Sequence, residues 1–315
     1  MKENMCVAKT KTLFKYLIYI SLAFLAVALY KADYLKVPTI VSFPAMSASF
    51  LFLFAGFITG AVAWKHILKK SGYAVDLSEC LAGVGLSIFS KYIPGKVWVI
   101  IGKAAYIAKN KQYSLGNLSA ISLNSQFITL WVGLSIGSIG LLLLDGLHLR
   151  GWFILLIWLG LSVVIFSRVA HDISERLISS VLKKNMKFPS LDIKSTISVM
   201  PWFVLYWTLF SIGFYLFIVS LTTIDIQFSV GLGFPLSATL GIMAIIFPGG
   251  LGAREGAIIS YLTLTGMPIA ESAAIALASR LWFLVGEIFI FIVGWIAHKK
   301  SQKELLPQTD HSPDC

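Results

Sequence analysis

The sequence predicts an all-α polytopic membrane protein with six spanning helices and two re-entrant helical hairpins, arranged as an inverted repeat. Three observations lead there. The 315 residues have a mean hydropathy of +0.82 and are 57% hydrophobic against 13% charged, more apolar surface than a soluble chain of this length can hide. Six apolar segments are long enough for a hydrocarbon core, which takes roughly 20 residues. Two further apolar regions are each interrupted midway by a Pro-Gly break.

The spanning segments are Leu13–Tyr30, Val41–Trp64, Leu118–Leu144, Trp152–Phe166, Ile197–Leu221 and Ala273–Ala297. The fourth is short and needs its flanks. The N-terminus, with Lys2, Lys9, Lys11 and Lys15 and then an apolar run to Tyr30, resembles a signal sequence. Its apolar run is long for one and its cleavage site poor, so it reads as an uncleaved first helix. The interrupted regions are Leu81–Ala108, broken at Pro94-Gly95, and Gly231–Leu264, broken at Pro248-Gly249-Gly250. Each uninterrupted arm covers only about 18 Å at ~1.5 Å per residue, against a core of ~30 Å. Two short arms around a break predict a hairpin that returns to its own side, with its irregular tip buried in protein or facing water.

The cations agree with that topology. With the N-terminus cytoplasmic and both hairpins returning, nineteen of the 26 lysines and arginines fall on the cytoplasmic side and three outside. The cytoplasmic nineteen include Lys103 and the six of the loop from Arg168 to Lys194; the other four, Lys91, Lys96, Arg254 and Arg280, lie within the membrane zone. If Leu81–Ala108 were a single kinked span, the six-cation loop would be outside. The C-terminus is likewise cytoplasmic.

The order span, span, hairpin, span then occurs twice, with three crossings in each half. Residues 1–150 form the first membrane repeat, 151–306 the second, and 307–315 a polar tail. An odd number of crossings inverts the second half, so the two hairpins enter from opposite faces. Paired Pro/Gly-interrupted segments in an inverted repeat are a transporter pattern, with the breaks pointing at a midplane substrate site.

The chemistry of the tips fits an anion. A helix restarting after a break offers unpaired N–H groups and the positive end of its dipole. In "SKYIPGKVWVIIGKAAY" Lys96 opens the second arm after the helix-breaking Pro94 and Gly95, and Lys91 precedes them. In "IMAIIFPGGLGAREGAIISYL" Arg254 and Glu255 open the other second arm after Pro248. Gly249, Gly250, Gly252 and Gly256 allow close backbone approach to a ligand. Two cationic helix starts converging from opposite faces make a phosphate-sized receptor. Arg280 and Glu287 share one face of the last span and pair with Glu255 and Arg254 in this reading.

Blander readings stand beside these. Lys91 can snorkel to an interface. Arg254, Glu255, Arg280 and Glu287 can form a structural ion-pair lattice. Trp64, Trp98, Trp152 and Trp202 read as interface anchors. Three cysteines and five histidines show no metal-ligand spacing, and the glycine spacing is no dinucleotide fingerprint. The expectation is no metal, no cofactor, no nucleic acid partner and no enzymatic activity.

The strings "KYIPGKVW" (Lys91–Trp98), "FPGGLGAREGA" (Phe247–Ala257) and "ASRLWFLVGE" (Ala278–Glu287) resemble the lysylphosphatidylglycerol synthase transmembrane-region family of flippase-like membrane proteins. The resemblance covers nearly the whole chain and implies movement of an anionic phospholipid, or of a polyprenyl-phosphate-linked envelope precursor, between leaflets of the inner (plasma) membrane. It places family motif residues at Lys91, Tyr92, Pro94, Gly95 and Trp98, at Pro248, Gly249, Gly250, Gly252, Arg254, Glu255 and Gly256, and at Arg280. This sequence ends at Cys315 without an aminoacyl-transferase domain, so lipid aminoacylation is not expected of it. In the resulting expectation Lys96, Arg254 and Arg280 bind the phosphate, helped by Gly249, Gly250 and Gly252. Glu255 and Glu287 compensate charge or couple a proton. The alternative is a non-transporting membrane partner of an envelope glycosyltransferase or hopanoid pathway, docking through the loop from Arg168 to Lys194.

Overall fold

The computed structural model describes residues 39–92, 97–146, 148–166, 193–244, 250 and 252–305. Among them all regular structure is helical. The helices are α1 (Phe43–Lys70), α2 (Leu77–Ser87), α3 (Val97–Lys111), α4 (Leu115–Asp145), α5 (Leu149–Phe166), α6 (Ile193–Val219), α7 (Gly233–Met243), α8 (Ala253–Leu264) and α9 (Ile269–Leu305). Short 3₁₀ turns, Ile88–Tyr92 and Phe228–Leu232, follow α2 and precede α7.

Local chemistry sets the ends of the long helices. Ser42 caps α1, its hydroxyl accepting from the Ala45 N–H at 3.4 Å, with Pro44 in the first turn where its missing N–H costs nothing. Ser114 caps α4 in the same way through Asn117 N, and Gly146, at φ +65°, ends it. Between these signals run 28 residues in α1 and 31 in α4, about 42 and 46 Å.

The protein is a multi-pass membrane protein. The apolar stretches Phe43–Lys70, Leu115–Leu144, Lys194–Val219 and Ile269–Gln302 are each long enough to cross a bilayer, and each overlaps an expected span. α5 realises the expected Trp152–Phe166 segment, but its apolar stretch, Gly151–Val163, is shorter. The expected span Leu13–Tyr30 lies outside the described residues. The described residues therefore hold four helices of spanning length, where the sequence predicts six in the whole chain.

Both interrupted regions are pairs of short helices. α2 and α3 run antiparallel, with Gly83 facing Lys103 and Ser87 facing Gly102; in α7 and α8, Gly241 faces Arg254 and Gly233 faces Tyr261. The breaks at Pro94-Gly95 and Pro248-Gly249 lie outside the described residues.

Packing exchanges elements between the two halves. α1 and α6 lie side by side and antiparallel, joined by Val41 N–H donating to Ser220 C=O at 2.8 Å and by His66 stacked on Trp202 at 4.5 Å. α2, from the first half, packs on α9 of the second, crossing where Gly85 meets Gly294 backbone to backbone. A side chain at Gly85 would collide with the Ile290 carbonyl, so only glycine permits that approach. Reciprocally, α7 packs on α4 of the first half, with Leu236 against Gly137. Each second arm packs on the long helix that follows it, α3 on α4 and α8 on α9.

An aromatic core fills the space between α1, α6, α7 and α9. Phe57, Phe210, Phe234, Trp282 and Phe283 meet at ring-centre distances of 5.1 to 6.5 Å, for instance Phe57–Phe210 at 5.4 Å edge-on and Phe234–Trp282 at 5.5 Å. These geometries suit the ring quadrupole and contribute about 0.5–1.5 kcal/mol per pair beyond burial.

Candidate functional site

Above this aromatic floor the two helix pairs bring their charges together. α9 presents Arg280, Phe283 and Glu287 at i, i+3 and i+7, one stripe of the helix. The turn after α2 delivers Lys91 and Tyr92, and the first turn of α8 delivers Arg254 and Glu255.

Glu287 is 1% exposed and receives two partners from the first half: Lys91 Nζ as an ion pair and Tyr92 Oη as a hydrogen-bond donor at 2.8 Å. The snorkelling reading of Lys91 is thereby replaced. The Gly85–Gly294 crossing brings the end of α2 against α9, where a buried carboxylate holds the ammonium.

Glu255 has two roles. Its Oε2 accepts from the Gly252 N–H at 2.8 Å, satisfying one of the unpaired donors at the start of α8, and its Oε1 lies 3.3 Å from Arg280 Nε. The expected Arg280–Glu255 pairing is present. The expected Glu287–Arg254 pairing is not, because Glu287 is engaged by Lys91 and Tyr92.

Arg254 is the unusual member. It is 9% exposed, and among the described residues no carboxylate forms an ion pair with it. Its Nη2 is 3.5 Å from the Ser279 carbonyl and its Nε has no hydrogen-bond partner. Its guanidinium lies over two rings, 5.1 Å from the centre of Phe234 and 4.9 Å from that of Phe283. Cation–π contacts contribute about 0.5–2 kcal/mol each. Burying an ion costs several kcal/mol even after relaxation, so the rings compensate only part of it.

Lys91 Nζ also lies 4.9 Å from the Phe283 ring centre. Lys91 and Arg254 are thus no farther apart than the sum of two such distances. Lys91 lies in the field of Glu287, Arg254 and Arg280, and Arg254 in that of Glu255, Arg280 and Glu287. Lys91, Arg254 and Arg280 against Glu255 and Glu287 leave one positive charge over, and it resides on Arg254. Among the described residues the cluster thus carries one net positive charge in a low-dielectric setting, where a further negative group is electrostatically favoured.

The other sequence-predicted residues divide. Lys96, Pro94, Gly95, Pro248 and Gly249 lie outside the described residues. Gly250, at φ +72°, abuts the Gly241 backbone of α7, so its bareness serves the packing of the helix pair rather than ligand approach. Gly252, at φ +82°, donates its N–H to Glu255, and Gly256 has open space where a side chain would be. Trp98 and Trp152 are exposed, as interface anchors would be. Trp64 is not: it is buried, with Lys103 Nζ 5.0 Å from its ring centre. Lys103, expected in a cytoplasmic loop, is buried in α3, because that helix runs on to Lys111.

Sequence reasoning missed Phe283, Phe234 and the Ser279 carbonyl. Phe283 was within reach of it, since it falls between Arg280 and Glu287 on the same helical stripe. Phe234 was not, since nothing local ties α7 to Arg254.

The profile of one family, the lysylphosphatidylglycerol synthase TM region, matches residues 13–294. No curated protein matches the chain.

Proposed function

The chain belongs to the lysylphosphatidylglycerol synthase transmembrane-region family, and from that premise we propose that it is a lipid flippase. It moves a phosphate-headed lipid, an anionic phospholipid or a polyprenyl-phosphate-linked envelope precursor, between leaflets of the inner membrane. The observation that carries the reading is Arg254: a buried guanidinium with no ion-pair partner among the described residues, beside Lys91 and Arg280.

The headgroup phosphate binds Arg254 first, since that charge is uncompensated. It then competes with Glu255 for Arg280 and with Glu287 for Lys91, and Lys96, outside the described residues, is the further cation of this proposal. The two carboxylates occupy the cations while no lipid is bound. With both carboxylates ionised, a singly charged phosphate at Arg254 cancels the one positive charge that these five groups leave over; protonation of a carboxylate accompanies binding only where the head brings a second negative charge. Charged groups inside a membrane are expensive and mark transport pathways.

The exchanged packing supports an inverted repeat. α2 on α9 and α7 on α4 are the two equivalent contacts that a twofold relation between halves generates, as are α3 on α4 and α8 on α9. We read α2/α3 and α7/α8 as re-entrant hairpins entering from opposite faces, within six spans and with both termini cytoplasmic. Rocking one half against the other alternates access to the charges. The chain acts as a carrier rather than an enzyme.

Reconstitution in liposomes tests this. Wild type is expected to exchange a fluorescent anionic lipid between leaflets well above protein-free vesicles, and Arg254→Ala to return to the protein-free rate. Equal exchange by both proteins removes the site assignment. No exchange of any envelope lipid favours the scaffold reading, whose docking loop lies largely outside the described residues.

A further inference from the structure

A cavity of about 630 Å³ lies between α5 and the α7/α8 pair rather than at the charge cluster. Its size is in the ~300–1,000 Å³ range of small-molecule sites. Its walls are almost wholly apolar: Leu141 of α4, Trp152 and Leu156 of α5, Leu236 and Leu240 of α7, and Ala257 and Leu264 of α8. Tyr261 also lines it, but its hydroxyl is already donated to the Ser229 carbonyl at 2.8 Å.

The outer wall is held by specific bonds. Trp131 of α4 donates to Ser162 of α5 at 2.7 Å, and Trp158 of α5 donates back to Ser135 of α4 at 2.8 Å. The two indoles stack at 5.4 Å between these bonds. α5 is thereby fastened to α4 while a gap remains between it and α8.

The lining of this slot comes within one helical turn of Arg254, which does not itself line it. Arg254 precedes Ala257 by three residues of the same helix, about 5 Å along its axis. On α7 the lining residue Leu240 is followed by Gly241, which lies against Arg254. An apolar slot thus lies one helical turn from a buried cation that has no ion-pair partner among the described residues. A purely apolar ligand has no use for the cation, and a free inorganic anion has no use for the slot. A lipid with an anionic head uses both.

We propose that this slot seats one hydrocarbon chain of the phosphate-headed lipid while its head meets Arg254, an inference that rests on the flippase reading above. The lipid then reaches the head site laterally, between α5 and α8, and its chain lies along α8 from Leu264 to Ala257. Diacyl and polyprenyl phosphates share what the slot needs, a hydrocarbon chain tethered within a few bonds of a phosphate.

Photocrosslinking tests the proposal. Leu240 is replaced by p-benzoylphenylalanine in the full chain, which is reconstituted in phosphatidylcholine vesicles containing a minority of phosphatidylglycerol or, in a second arm, of a polyprenyl phosphate. Adducts are identified by mass spectrometry. The anionic lipid is expected to exceed its membrane share by about tenfold, the factor corresponding to one charge-assisted contact. Arg254→Met should abolish that preference, and Ala257→Trp should lower adduct yield by filling the slot. The arm showing the larger excess identifies the chain type. Adducts that follow bulk composition with or without Arg254 mean ordinary boundary lipid and overturn the proposal. If Arg254→Met stops leaflet exchange while adducts stay unselective, the head site stands and the slot does not. Selective adducts without exchange by wild type keep the slot and remove transport.

Discussion

Lys91 and Glu287 form an ion pair across the two halves of the chain, and the carboxylate is almost wholly buried. Breaking a buried pair strands a charge, which costs about 3–5 kcal/mol, whereas replacing both partners with apolar residues is often neutral. Glu287→Leu alone should therefore lower the thermal unfolding temperature in detergent sharply. Lys91→Met combined with Glu287→Leu should recover most of that loss. Equal damage from the single and double variants would show that the pair is not coupled.

Arg254 should behave in the opposite way. Arg254→Met keeps much of the side-chain volume over Phe234 and Phe283 but removes the unpaired charge. We expect it to stabilise the protein by about 1–3 kcal/mol, since an uncompensated buried cation is lost, while leaflet exchange disappears. Arg254→Lys should not rescue exchange, because an ammonium lacks the planar fork that grips a phosphate through two bonds. Thermal unfolding and liposome exchange measure the two effects separately.

Glu255 occupies donors that a phosphate would otherwise use. Glu255→Gln retains an oxygen that can accept from Gly252 N–H, so stability should change by less than about 1 kcal/mol. With the competing negative charge gone from Arg280, retention of phosphatidylglycerol in native mass spectra should rise about tenfold. Exchange should slow, because the bound lipid is no longer displaced. Weaker retention would mean that Glu255 orders the site rather than competing for it.

The helix crossing at Gly85 and Gly294 leaves no room for a side chain. Gly85→Val should destabilise by roughly 3 kcal/mol or more, at the upper end of overpacking costs, through collision with the Ile290 carbonyl. Gly256→Ala is the control. Gly256 meets nothing within 4 Å and sits inside a helix, so alanine there should stabilise by about 0.5–1 kcal/mol. Fluorescence-detected size exclusion after heating distinguishes the two.

Much of this architecture was legible in the sequence because bilayer physics writes it there. Apolar length gave the long helices, and the Pro-Gly breaks gave the two short pairs. The seven-residue spacing of Arg280 and Glu287 put them on one stripe, and Arg280 does meet Glu255. The partner of Glu287 was not legible. It depends on α2 crossing into the second half, which is set by backbone contact between two glycines far apart in the chain. Lys103 was misplaced because its neighbours Lys109 and Lys111 read as a loop, and only the fold brings Trp64 over it.

The swapped packing has a consequence during synthesis. α9 is the last of the described helices to leave the ribosome, and it carries Glu287. Until it inserts, the α2/α3 pair has no helix to cross and Lys91 has no carboxylate. A nascent chain halted before α9 would hold the Lys91 ammonium without the carboxylate that pairs with it. The first half is thus translated early but becomes settled only once α9 has been made.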